Sequence, residues 1–282
     1  MNPRTCFEIP YSRYDGPPRP SILKAGVSVL ALCVFLVFGA NLYAQNKGPA
    51  THSGPKTKLH VYLLIGQSNM AGRAPYTAEE SAPVERCYLL KGNDSWVPAR
   101  NPFNAFSTIQ KRIKGGPKMN PGYTFAKKML ENDKSISIGI VCNARGGSSI
   151  ESWAKGTQYF NEAVRRTKEA MKTGTLKGVI WHQGESNAGN PEGYMEKMKS
   201  LVADLRNELG MKDLPFVAGQ VNNVPEINKQ IARLPKEVSM TDYISSEGLK
   251  AMDRWHFNAE SVKMMGERYA EAMLRLQKIN EK

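Results

Sequence analysis

A chain of 282 residues with 41% hydrophobic and 23% charged residues, 24 Gly and 17 Pro has the makeup of a globular protein, which excludes collagen-like, coiled-coil and wholly disordered chains. Its length favours one large domain once the first stretch is set aside. The net charge of +13 describes a field that suits an anionic partner without naming one.

Residues 25–44 carry no charge and follow directly on Lys24, with Arg13 and Arg19 upstream. This is the pattern of a secretory signal, with Leu42-Tyr43-Ala44 before Gln45 as the cleavage site. About 20 apolar residues can also just span a bilayer, so an uncleaved N-terminal anchor is the alternative. A lipid-modified Cys33 is disfavoured because Leu32, not a small residue, precedes it. Both surviving readings put the rest outside the cytoplasm, secreted or periplasmic, or anchored and facing outward. Residues 45–58 are polar and aperiodic and read as a linker, which leaves 59–282 as the folded domain.

From there, apolar runs of strand length at 59–65, 85–90, 136–142, 176–182 and 214–220 alternate with helical patterns at 123–131, 159–172, 191–209 and 259–279. Strands apolar throughout are buried on both faces, as parallel strands covered by helices are. The expected fold is α/β: a three-layer α/β/α sandwich with a mainly parallel sheet of about five strands. Ligands in such sheets bind beyond the carboxyl ends of the strands, and the irregular segment 73–121 is expected to lie over that end. Cys87 and Cys142 fall within apolar runs and read as buried thiols, with a disulfide as the alternative in an exported chain.

Four polar segments follow these runs. After the first comes Gly66-Gln67-Ser68-Asn69-Met70-Ala71-Gly72, a serine at a strand exit where free backbone N–H groups can hold an anion. Met70 rules out the G-x-S-x-G elbow, and no Lys-Ser/Thr makes it a phosphate loop; a plain helix cap is the competing role for Ser68. After the third run comes Asn143-Ala144-Arg145-Gly146-Gly147-Ser148, whose paired glycines let the main chain approach a ligand. The fourth ends in Trp181-His182-Gln183-Gly184-Glu185-Ser186-Asn187, which brings an amide and an acid to the same edge, with His182 read as a core side chain. Finally, in Asp253-Arg254-Trp255-His256, an acid three positions before an imidazole can orient it. Serine, acid and histidine then supply a nucleophile, an orienter and a base.

Together these blocks resemble the SGNH hydrolases, whose fold is flavodoxin-like, and within them the sialate O-acetylesterase and acetylxylan-esterase-like carbohydrate esterases. The similarity runs over about 59–276 in the right order. It implies Ser68 as nucleophile, His256 as base, Asp253 as its orienter, and an oxyanion hole made by the Ser68 and Gly147 N–H groups and the Gln183 amide. Glu185 is a candidate second acid. Asn187 departs from the pattern, standing where the group often has an acid. The implied activity is removal of acetyl groups from a carbohydrate through an acetyl-enzyme, without cofactor, with acetylated polysaccharide, oligosaccharide or sialic acid as partner.

Two other classes compete. A zinc hydrolase lacks support, since no H-E-x-x-H or paired C-x-x-C spacing occurs and no metal is expected. A catalytically silent basic module for an anionic polymer would use the positive charge. Yet Arg165, Arg166, Lys168, Lys197 and Lys199 read as solvated helix faces, and the one dense patch is Lys111-Arg112-Lys114-Lys118. No nucleic-acid partner is expected, and a membrane only if the leader is retained. Trp96, Phe103, Phe106, Tyr123 and Trp153 are candidate sugar platforms, with core packing as the alternative.

Overall fold

The computed structural model describes residues 54–110 and 115–280, all within one compact unit, Lys47–Lys282. The expected leader, most of the linker and Lys111, Arg112 and Lys114 lie outside the described residues.

A seven-stranded sheet runs in the order β3-β2-β4-β1-β5-β6-β7. Its strands are β1 (Leu59–Gly66), β2 (Cys87–Leu90), β3 (Trp96–Pro98), β4 (Ser137–Cys142), β5 (Thr175–His182), β6 (Phe216–Gly219) and β7 (Thr241–Ile244). All neighbours are parallel except β3, which returns antiparallel on β2. The five expected strands are thus the inner ones, and β3 and β7 add an edge on either side.

Continuous apolarity in β1 has a direct structural reason. Leu59, Val61, Leu63 and Ile65 pack into one core, with side chains of α3 (Gln158–Ala170), α4 (Tyr194–Leu209) and α5 (Pro225–Glu237). Tyr62 and Leu64 point the other way, into a second core with α2 (Gly122–Asn132) and α6 (Ala259–Asn280). Alternate residues of one strand therefore feed two layers. Cores on both faces of one sheet make the three-layer sandwich.

Three expectations concern particular side chains. Cys87 and Cys142 are free and buried. Cys87 pairs in register with Ile138, so Cys142 lies four residues further along the neighbouring strand, about 13 Å at strand rise and out of disulfide reach. Burial pushes both thiols up, Cys142 to about 12. Trp96, Phe103, Tyr123 and Trp153 are core residues.

Arg166 corrects the reading of α3 as a solvated basic face. It is fully buried and donates to the carbonyls of Cys142 and Leu90, at 3.0 and 2.6 Å, and to Asn143 Oδ1 at 3.1 Å. The guanidinium ties together the carboxyl ends of β2 and β4, where strand carbonyls have run out of ladder partners. A positional pattern cannot tell such an arginine from the half-buried Arg165 beside it, which pairs with Asp94 and Glu162.

Sheet order sets the position of the site. The chain moves from β1 to one side through β2, β3 and β4, then to the other through β5, β6 and β7, so β1 lies at the switch point between β4 and β5. Beyond its carboxyl end the backbones stay together: Gln67 N–H donates to the His182 carbonyl at 2.8 Å, and Arg145 N–H to that of Gly66 at 3.0 Å. Gly66 has φ +135°, and a Cβ there would fall 2.1 Å from the His182 oxygen. Only glycine lets these loops close together.

Candidate active site

The short helix α1 (Ser68–Ala71) starts one residue after β1, so the Ser68 N–H is at its first position and has no intrahelical acceptor. Ser68 is 6% exposed, at the floor of a cleft of about 430 Å³ that Gln67, Gly147, Glu185, Trp255 and His256 also line. Its Oγ lies 3.0 Å from His256 Nε2. On the far side of the ring, Nδ1 lies 2.7 Å from Asp253 Oδ2. The three residues read from the sequence thus form one continuous chain of hydrogen bonds.

Local geometry explains how Asp253 reaches the ring. Its Oδ1 accepts from the N–H groups of Trp255 and His256, both at 2.8 Å, which curls the loop back and leaves Oδ2 for the imidazole. The loop is closed by a bridge between Ala251 and Phe257. Burial pushes the Asp253 carboxyl up, but the bonds from the His256 ring and the two N–H groups outweigh it and hold it below its usual range. An anionic Asp253 fixes the proton on Nδ1 and leaves the Nε2 lone pair toward Ser68.

Glu185 reaches the same cleft but not the imidazole. Its Oε1 accepts from Asn69 Nδ2 at 2.6 Å, and that Nδ2 also donates to the Trp255 carbonyl at 3.0 Å. Asn69 Oδ1 in turn accepts from Phe257 N–H at 3.2 Å. Asn69 therefore grips the backbone on both sides of His256, and Glu185 holds Asn69. Burial pushes the Glu185 carboxyl up to about 7. Buried His182, whose Nδ1 is 2.9 Å from Tyr269 Oη, is driven down to about 3 by burial and stays neutral, a core residue as expected.

The structure does not bring the Gln183 amide to the cleft. Gln183 is fully buried, and its Nε2 donates to Asn187 Oδ1, Gln67 Oε1 and the Ser148 carbonyl, at 2.7, 3.0 and 3.2 Å. What it does is fix Gln67. Gln67 Oε1 accepts from Gln183 Nε2 and from the N–H groups of Gly184 and Ser186, at 3.3 and 3.1 Å. With its oxygen so occupied, the Gln67 amide has only Nε2 left for the cleft that it lines. Gly147, with φ +75° and open space where a Cβ would be, lines the same cleft.

Asn187 serves where an acid would not. Its Oδ1 accepts from Gln183 and from Ile150 N–H, and its Nδ2 donates to both oxygens of Glu151, at 3.2 and 3.1 Å. A carboxylate here would face that of Glu151, which is held at about 2: burial raises it, but Lys197, Ser149 and Asn187 together pull it further down. Ser148, a competing serine, is already engaged through Oγ with the Arg145 carbonyl and Trp153 Nε1.

Gln67, Arg73 and Trp255 line the cleft and Asn69 braces it, and the sequence alone does not single them out. Gln67 and Asn69 flank the serine and show up only once their amides have directions. Trp255, with the Arg254 guanidinium 4.4 Å from its ring centroid, is the aromatic residue lining the cleft, whereas Trp96, Phe103, Tyr123 and Trp153 are buried in the core.

Over residues 58–275 the chain matches the family described as "Carbohydrate esterase, sialic acid-specific acetylesterase". It is 30% identical over 243 residues to a "Probable carbohydrate esterase" of Arabidopsis thaliana, covering 76% of this chain and 90% of that one. The crystal structure of the Arabidopsis protein superposes with a TM-score of 0.69 at 27% identity, covering 78% and 98%. NanS shares the fold, with a TM-score of 0.65 at 17% identity over 79% and 98%. So does a carbohydrate acetylesterase of Xanthomonas citri, with a TM-score of 0.56 at 23% identity over 77% and 56%.

Proposed function

The chain belongs to the carbohydrate esterase family of sialic acid-specific acetylesterases, hydrolytic enzymes, and from that premise we propose that it removes O-acetyl groups from a carbohydrate through an acetyl-enzyme on Ser68. The observation that carries this reading is the chain Ser68 Oγ, His256 Nε2, His256 Nδ1, Asp253 Oδ2, with links of 3.0 and 2.7 Å.

Ser68 Oγ attacks the acetyl carbonyl as its proton passes to His256 Nε2, and Asp253 stabilises the imidazolium that forms. The carbonyl oxygen becomes an oxyanion among the N–H groups of Ser68 and Gly147 and the Gln67 amide, fixed donors that need no reorganisation. Collapse breaks the ester bond, and the sugar oxygen leaves with the proton from His256. A water then gives its proton to His256 and attacks the acyl carbon. The second collapse releases acetate and returns the proton to Ser68.

Acetate release from an acetylated sugar, together with a fluorophosphonate adduct located by mass spectrometry, tests this. The adduct is expected on Ser68, and turnover should survive a chelator. A label on Ser186, the exposed serine of the cleft, would overturn the assignment.

We also propose that the enzyme works outside the cytoplasm. The basic flank and apolar run of residues 1–44 support this. N-terminal sequencing of exported protein should begin at or near Gln45; a membrane-bound product retaining Met1 would favour the anchor.

A further inference from the structure

Arg73 leaves α1 at Gly72, whose φ of +94° and contact with the Lys118 backbone turn the chain back toward the cleft. The side chain is partly buried and lines the same cleft as Ser68. Its position is marked by Gly146: a Cβ there would stand 2.5 Å from Arg73 Nη2 and 3.8 Å from Ser68 Cβ. The guanidinium thus lies over the bare α-carbon of Gly146, with the nucleophile on the same side.

Its bonding is incomplete. Nη1 donates to the carbonyl of Gly72 at 2.8 Å, and the guanidinium pairs with no carboxylate among the described residues. Of the acids nearby, Asp253 is bonded to His256 and two N–H groups, and Glu185 holds Asn69 through Oε1 while its Oε2 is buried without a hydrogen-bond partner; neither pairs with Arg73. Burial draws the Arg73 pKa down, and the more distant charge of Asp253 draws it back up, as for a cation removed from water without a direct partner. Arg166, equally without a carboxylate, spends its donors on strand carbonyls. Arg73 spends one donor on the carbonyl of its own neighbour, Gly72, and joins no strands. The hydroxyls of a neutral sugar do not compensate a desolvated charge, whereas a carboxylate matches the planar donor fork.

We propose that Arg73 is a carboxylate-binding residue beside the nucleophile, serving either a carboxylate on the sugar that carries the acetyl ester or the acetate produced by the reaction. The proposal rests on the esterase reading for what enters the cleft, but binding can be read without turnover.

The experiment has two parts. Calorimetric titration of the full chain with glucuronate, acetate and glucose, in wild type, Arg73→Gln and Arg73→Lys, reads binding. Acetylated methyl glucoside and acetylated methyl glucuronoside, with and without added acetate, read turnover. Wild type is expected to bind a carboxylate and Arg73→Gln to bind it about 10-fold or more weakly, with Arg73→Lys between them because it keeps the charge without the fork. If kcat/KM falls about 10-fold further on the glucuronoside than on the glucoside, the carboxylate is the sugar's. If both substrates fall alike and inhibition by acetate is relieved, it is the product's. No carboxylate binding by wild type, or equal binding by Arg73→Gln and wild type, would overturn the proposal. Arg73-dependent binding of glucuronate by a wild type that hydrolyses neither ester would sink the esterase reading and leave this one standing.

Discussion

Asp253 and Glu185 are both acids at the carboxyl edge of the sheet, but only Asp253 touches the imidazole, and the two should separate in different assays. Asp253→Asn should cost about 10⁴ in turnover, because an amide cannot hold the ring in the required tautomer; the check is kcat on an acetyl ester. Glu185→Gln keeps an acceptor for Asn69 Nδ2 and should change kcat less than tenfold, on the order of one lost ionic contribution. Its signature lies in stability. The folded carboxyl titrates near 7 against a usual 4.5, so between these values the folded state holds a proton that the unfolded chain has lost. Stability is therefore present at low pH, falls as pH rises from about 4.5 to about 7, and levels off above. Glu185→Gln should lack that slope and gain on the order of 3 kcal/mol relative to wild type between pH 4.5 and pH 8, read by denaturant melts at each pH. Gln67→Ala, which removes a proposed oxyanion donor, should lower kcat by about 10²–10³. A Gln67→Ala enzyme with normal kcat would return that role to another donor.

Helix α6 packs on α2 at Gly266, where a Cβ would stand 1.9 Å from Thr124 Oγ1 and 2.3 Å from the Pro121 carbonyl. Alanine is intrinsically the better helix former by about 1 kcal/mol. Contact with backbone, which cannot swing away, costs more: overpacking of this kind costs about 1–3 kcal/mol or more. Gly266→Ala should therefore lower Tm despite its helix propensity. The same logic of neighbours explains which elements the sequence revealed. The inner strands were legible because both their faces are buried, which forces a continuous apolar run. Strand β3 is three residues ending in Pro98, and β7 is Thr-Asp-Tyr-Ile on the far edge, with only Thr241 and Ile244 buried; neither carries such a run. Helix α5 does bury Ile227, Ile231 and Leu234 at helical spacing, but prolines at its first position and at 235 mask the pattern. In the site, the serine, acid and histidine were legible because their chemistry is a property of residue type and spacing. Gln67, with its orientation set by Gln183, was not, because which end of an amide faces a cleft depends on three loops meeting.

Across the molecule, the formal net charge is +13, or +11 once residues 1–44 with their four Lys/Arg and two acids are removed, and the cleft adds Arg73, which pairs with no carboxylate among the described residues. Such a field attracts anionic substrates over roughly a Debye length, so kcat/KM on an acetylated acidic polysaccharide should fall as ionic strength rises from about 0.01 to 0.15 M, while that on a small neutral acetyl ester stays flat. Equal salt dependence for both would remove any role for the global charge. Topology adds a constraint of another kind. Ser68 leaves the first and central strand, and His256, the base proposed for it, arrives 188 residues later. At about 5–20 residues per second of synthesis, roughly 10–40 s separate the two. During that interval the nascent chain carries a serine with no base, and the turn holding His256 still has to dock against Asn69. On the proposed roles, the order of the chain acts as a delay: the nucleophile is made early and its base late, and a polypeptide released short of that turn should be inert from birth.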